Sequence, residues 1–178
     1  MASIILEKNF NCLDQSDEPA CSAFMTAHLL QQYGIRKDPL EIYDGMGRFG
    51  DSEAVAPWQA AEYINGVLEE QGLPDRYGFE KRCTLQDSQS ELAQGRAVPV
   101  VILYDTEDRT FDDLHYVLVT GLDDRTVYLV DSLHETGRCS YNRTVSLEDF
   151  RIMWSLKNLR LPAGWLGFKN MMLKGIAL

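Results

Sequence analysis

Four side chains in this sequence have the types and spacing for acyl chemistry at sulfur: Gln15, Cys21, His115 and Asp131. A thiol attacks as its thiolate, and the free backbone N–H groups and dipole of a helix N-terminus, with an imidazolium nearby, lower its pKa from ~8.5 toward ~3.5–7.5. Cys21 stands at the start of ACSAFMTAHLLQQYG, where Cys21, Phe24, Met25, His28 and Leu29 fall at helical spacing. The thiol is therefore expected in the first turn of a helix. Six residues upstream, the Gln15 amide N–H is suited to a developing oxyanion, a role worth ~3 kcal/mol where such donors have been removed. An imidazole paired with a carboxylate would complete the set, the carboxylate fixing the tautomer and stabilising the protonated ring.

The elements that must position these groups are legible in outline. The first helix is entered through Pro19 and stopped at Gly34; DPLEIYDG reads as a short helical turn; Pro57 opens WQAAEYINGVLEEQGL, an amphipathic helix closed by Gly72. From about Tyr77 the pattern changes. YGFEKRCTL reads as a strand, SQSELAQG as a short helix, and VPVVILYD as a buried strand. HYVLVTG and TVYLVDS, separated by the polar LDDR, read as a hairpin. If Gly121 and Arg125 flank its turn, positions whose numbers add up to about 246 face one another, which sets His115 opposite Asp131 with Cβ atoms ~5 Å apart. Ser146 and Asp149 are capping candidates for a last short helix, SLEDFRIMWS. With no repeat and no linker, residues 1–178 are expected to form a single α+β domain, helices mostly first and an antiparallel sheet mostly second.

Gln15-x5-Cys21 opening an apolar helix, GRAVPVVILYD, HYVLVTGLDD-xx-VYLVDS and SLEDFRIMW together resemble the papain-like cysteine peptidase domains of the bacteriocin-processing, double-glycine type. The resemblance runs from about residue 11 to 156. It implies a papain-like cysteine proteinase fold, with Gln15 in the oxyanion hole, Cys21 as nucleophile, His115 as base and Asp131 orienting it. It also implies a peptide or protein substrate and no cofactor or metal. One departure is Ser22-Ala23, where the family usually has Gly-Pro after the cysteine, and this bears on substrate fit more than on thiol chemistry. Processing peptidases of this type are commonly fused to a membrane transporter, so the chain resembles their freestanding relatives. Hydrolysis of a peptide or amide is the first expectation. Acyl transfer through the same thioester, and a binding module without catalysis on the same scaffold, are the alternatives.

The rest of the chain bounds these readings. Its 178 residues are 45% apolar and 25% charged, which argues against disorder and coiled coil. Twenty-seven acidic against 17 basic residues give a net charge of −10, which disfavours nucleic acid and anionic membranes and steers toward neutral or basic peptides. No stretch approaches the ~18 apolar residues of a span, and MASIILEKNF holds too short an apolar run for a signal peptide. A cytoplasmic location is expected, with a signal-independent export route the alternative. Cys12, Cys83 and Cys139 are expected to be structural or incidental and reduced, as in a bacterial cytosol; a redox sensor pairing Cys21 with Cys12 is a further possibility. His28, about 10 Å along the axis from Cys21, is expected to pack in the core, and His134 to be a solvated loop residue. Gly45-Met-Gly47-Arg-Phe-Gly50, with Glu70 downstream, satisfies G-x-G-x-x-G but lacks the strand before it and the helix directly after it that a dinucleotide needs. Asn142-Arg143-Thr144 matches a glycosylation acceptor that a chain without a secretory signal would not use. WLGFKNMMLKGIAL is expected to close the core or a dimer contact rather than to lie as an interfacial helix.

Overall fold

The computed structural model describes residues 3–16, 20–49, 54–103, 114–156 and 170–176. Pro19, Gly50, Tyr104-Asp105 and the ends of the last apolar segment lie outside them. Two short strands, β1 (Ile4–Ile5) and β2 (Phe10–Cys12), precede three helices: α1 (Cys21–Gln31), α2 (Pro39–Met46) and α3 (Pro57–Glu70). There follow β3 (Tyr77–Glu80), α4 (Leu85–Ala93), β4 (Val98–Leu103), β5 (Leu114–Leu122), β6 (Thr126–Val130), β7 (Gly137–Cys139), β8 (Arg143–Ser146), α5 (Leu147–Ser155) and β9 (Met172–Gly175). The α+β class and the helices-first order match expectation; the two leading strands were not foreseen.

Local chemistry explains the helix boundaries. Asp38 caps α2, its carboxylate accepting the Leu40 N–H at 2.8 Å. Pro57 occupies the first position of α3, where its missing N–H costs nothing. Thr84 and Asp87 close a reciprocal capping box on α4. Ser146 accepts the Asp149 N–H at 3.0 Å at the start of α5, as its sequence predicts. Helix α1 differs from the others: Ser22 through Leu30 are all buried, so it is a core helix wrapped on every side, packing on α2, α3 and β5.

Most strands join one antiparallel sheet in the order β3-β9-β4-β5-β6-β8, with β1 pairing β5 beyond the end of β4; β2 and β7 form a separate ribbon. All six residues of β4 are buried, as its uninterrupted apolar run predicts. The final apolar segment closes the core, and it does so as β9, inserted between β3 and β4 with Met171, Met172 and Leu173 buried. Trp154 of α5 is fully buried and donates from Nε1 to the Met171 carbonyl at 2.9 Å, fastening the last helix to this strand.

The β5–β6 register corrects the expected hairpin. The turn lies at Asp123–Thr126, and the Asp123 carboxylate accepts both the Arg125 and Thr126 N–H groups. Leu122 pairs with Val127 and Gly121 with Tyr128, but then Val119 pairs with Leu129 and Leu118 with Val130. Thr120 is thus an extra residue, a β-bulge. Extending the register on the far side sets Val117, not His115, opposite Asp131, with His115 diagonal to it on the same face. Without the bulge, the turn-side register would put His115 and Asp131 on opposite faces, because side chains alternate with period two. The Thr120 carbonyl accepts the Leu6 N–H at 2.8 Å, so β1 helps hold the bulge.

Candidate active site

Cys21 is the first residue of α1, half-buried and free of any disulfide. Its side chain hydrogen-bonds His115 on β5. Burial pushes the thiol pKa up. The His115 hydrogen bond and charge, with backbone N–H groups of Tyr116 and Ser22, outweigh that and hold it below the ordinary thiol value. His115 Nε2 lies 2.7 Å from Asp131 Oδ1, which leaves Nδ1 as the ring nitrogen for the thiol. Burial works to lower the His115 pKa, but Asp131 and Cys21 raise it to about 9. The pair is therefore biased toward thiolate and imidazolium.

Asp131, fully buried just past the end of β6, carries the charge that makes this possible. Burial alone would raise its pKa; hydrogen bonding and charge from His115, the Leu133 N–H and Arg143 bring it well below the usual carboxylate range. Oδ1 accepts from the Leu133 N–H at 3.0 Å, and Oδ2 from Arg143 Nη1 at 2.7 Å. Asn142 fixes the backbone of the same residue: its Oδ1 accepts the Asp131 N–H at 2.8 Å and its Nδ2 donates to the Asp131 carbonyl at 2.7 Å.

Gln15 is tied to this cluster from the other side. Its backbone N–H donates to the Ser132 carbonyl at 2.9 Å, and the Ser132 hydroxyl donates to Gln15 Oε1 at 2.7 Å. That fixes Oε1 as the acceptor end of the amide and leaves Nε2 as its donor end. All four expected residues thus belong to one network spanning the β2–α1 connection, the α1 N-terminus, β5 and the loop after β6.

His28 is buried in α1, where its Nε2 accepts the Leu13 N–H at 2.9 Å, and burial lowers its pKa to about 4. It is a neutral strut for the segment carrying Gln15. His134, expected to be a solvated loop residue, instead approaches Asp131 Oδ2 at 3.7 Å while remaining partly exposed. The cysteines require a further correction. Cys12 and Cys139 are joined in a disulfide across the β2–β7 ribbon, so they are not reduced and Cys12 is not the partner of Cys21. Nothing in residues 127 apart signalled this; only the pairing of β2 with β7 brings them together. Cys83 is buried, and burial with nearby carboxylates pushes its pKa up to about 11.

Arg143, Asn142 and Ser132 are the contributors that sequence reasoning missed. Leu129 pairs with Arg143 in the β6–β8 ladder. The alternation of RTVS beside TVYLV was the available signal, but the connection between them is too long to set a register. The Asn142 amide, read as an unused glycosylation acceptor, is engaged with Asp131 and the Glu135 carbonyl. In the glycine motif, Gly47 ends α2 with φ +72°, the role of a helix stop. Among the described residues no group of three or more His, Cys, Asp or Glu is arranged to hold a metal ion, and no helix is long and apolar enough to cross a membrane.

A half-buried thiol at a helix start, beside a buried imidazole–carboxylate pair on an antiparallel sheet, is the arrangement of the papain-like fold. The model of the Peptidase_C39 like family matches residues 7–158, and the chain belongs to that family. Among solved structures, a protein described as a C39-like peptidase from Bacillus anthracis is similar, with TM-score 0.71 and 14% identity over 100% of this chain and 99% of that one. The peptidase domain of Streptococcus ComA, a bi-functional ABC transporter of a quorum-sensing pathway, is similar with TM-score 0.61 and 12% identity over 95% of this chain and 99% of that one. A double-glycine motif protease from an AMS/PCAT transporter, in complex with a leader peptide, is similar with TM-score 0.55 and 10% identity over 98% of each chain. No curated protein matches the chain.

Proposed function

We propose that the protein is a cysteine peptidase that hydrolyses a peptide or amide bond, with Cys21, His115 and Asp131 as triad and Gln15 in the oxyanion hole. The observation that carries this is the unbroken hydrogen-bonded line from the Cys21 thiol through His115 to Asp131 Oδ1. Cys21 attacks the carbonyl carbon as thiolate; the Gln15 amide and the Cys21 backbone N–H receive the oxyanion. The imidazolium gives its proton to the leaving amine, and a thioester remains on Cys21. Water, deprotonated by His115, then adds to the thioester, releasing the acid and restoring the thiol. An amine or alcohol in place of water would give transfer instead.

The leader peptide bound by one structural relative supports a peptide as substrate. Residues 1–178 are taken as one peptidase domain acting in the cytoplasm. The Cys12–Cys139 bond, of a kind that persists in oxidising compartments, favours a location outside the reducing cytosol instead.

The test is incubation of the wild-type chain and Cys21→Ala with a diverse peptide library, products read by mass spectrometry, with and without an added amine. Cleavage by the wild type alone is expected. Turnover retained in Cys21→Ala would remove the reading, amine adducts in place of acids would convert it to transfer, and tight peptide binding without products would make the chain a binding module.

A further inference from the structure

The Asp131 carboxylate has two oxygens with different tasks. Oδ1 holds His115 Nε2 at 2.7 Å and the Leu133 N–H at 3.0 Å; Oδ2 faces Arg143 Nη1 at 2.7 Å and His134 Nε2 at 3.7 Å. Arg143 reaches it from β8, the edge strand of the sheet, with its side chain only 13% exposed. We infer that Arg143 is a positioning residue for the triad: its guanidinium locks Oδ2 so that Oδ1 stays aimed at His115. This rests on the proposed Cys21–His115–Asp131 reading and adds a fourth member to it.

The physical argument has two parts, and both act in the same direction. A carboxylate pivots about its Cβ–Cγ bond, and without Arg143 the neighbour left at Oδ2 is His134, whose side chain is more than a third exposed and whose contact is long. The carboxylate would then share its time between two histidines. In addition, a fully buried carboxylate that loses its cation is pushed toward the neutral acid, and a neutral acid does not support an imidazolium. The opposing effect is Coulombic. Removing a positive charge while Asp131 stays in place would strengthen the pull of the carboxylate on His115. The sign of the change at His115 therefore separates positioning from charge alone. The other titratable groups around Asp131 are Cys21 and His28 from α1, His115 from β5, and His134 with Glu135 from the loop that follows.

The experiment is an NMR titration of the His115 ring in full-length Cys21→Ala, alone and combined with R143K or R143M. The Cys21→Ala background removes the influence of the thiol and leaves the imidazole–carboxylate–guanidinium line intact. With R143M the His115 midpoint is expected to fall by about one unit, a tenfold loss of imidazolium stability. R143K, which keeps a charged donor near Oδ2, is expected to restore at least half of it. Should R143M not fold, R143L, which likewise removes the donor at Oδ2, gives the same comparison with the same sign. A rise in the midpoint would assign Arg143 a purely Coulombic role, and an unchanged midpoint with lowered thermal stability would make it a strut; either overturns the inference. Because this titration needs neither thiol nor substrate, it decides the role of Arg143 even if the peptide-library experiment removes the peptidase reading. In chains that keep Cys21, the acid limb of its alkylation profile should move upward with R143M and not with R143K.

Discussion

His28 offers a sharp test of the electrostatics, because its shift has the opposite sign to that of His115. The folded value is about 4 against an ordinary 6.5, since the ring is buried and its Nε2 is occupied as acceptor for the Leu13 N–H. Between these values the unfolded chain binds a proton that the folded chain refuses. Unfolding then takes up a proton, so stability falls as pH falls from 6.5 toward 4 and is intact above 6.5. Integrating to pH 4.5 gives a loss of about 2–3 kcal/mol, a large share of the stability of a domain this size. His115 does not obscure the window. Raised to about 9, it contributes stability that is complete below 6.5 and lost as pH rises from there through 9. The control is His28→Gln, whose Oε1 sits where Nε2 did and does not titrate. Urea unfolding followed by tryptophan fluorescence, at half-unit steps from pH 7 to 4.5, should show the wild type losing about 2 to 3 kcal/mol more than the variant. Parallel curves would refute the account of His28 as a neutral acceptor. The Leu13 bond also predicts that this acid loss begins at the segment leading to Gln15, visible as early hydrogen exchange at Leu13.

Gln15→Ala should lower kcat by about a hundredfold and, because it leaves the buried Ser132 hydroxyl without its acceptor, cost about 1–3 kcal/mol of stability; a rate within twofold of wild type would remove Gln15 from the oxyanion hole. Replacing Cys139 by Ser opens a disulfide that closes 127 residues of sequence and should cost about 2–4 kcal/mol, with reductant producing the same loss in the wild type and none in the variant. A methyl group on Gly121, beside the bulge, would meet Ile5 Cγ1 at 3.0 Å, the Ile4 carbonyl at 3.1 Å and Tyr128 at 3.1 Å. Gly121→Ala is therefore expected to destabilise by about 1–3 kcal/mol, with exchange protection lost first in β1, and full protection there would contradict the packing.

The hairpin arithmetic illustrates how a correct pair can be reached through an inexact register. The sequence places the turn near LDDR and both candidate residues on one face, which is enough to single out His115 and Asp131. The bulge at Thr120 changes the count, and contacts from outside the hairpin support it: β1 docks at Gly121 and Leu122, and Leu6 bonds the Thr120 carbonyl. Support from a strand more than a hundred residues away leaves no mark in the hairpin's own sequence. Arg143 is a similar case. As one of the chain's basic residues it has nothing local to distinguish it until β8 pairs with β6 and carries its side chain to Asp131.

What the sequence determined by itself is what local free energy controls. The helical apolar spacing of α1, Pro57 at the start of α3, the capping pair Ser146–Asp149, and the unbroken apolar run of β4 depend on neighbours within a few residues, whereas YGFEKRCTL, read as one strand, ends its strand at Glu80 and gives Thr84 to the cap of α4. Cys21 at a helix start belongs to the same class. The tertiary structure alone decided the insertion of β9 between β3 and β4, the Cys12–Cys139 link, the tie of Gln15 to Ser132, and the guanidinium behind Asp131. Each joins groups whose separation along the chain carries no energetic signal, because a contact between distant residues gains free energy only once the intervening chain has folded and its closure entropy has been met.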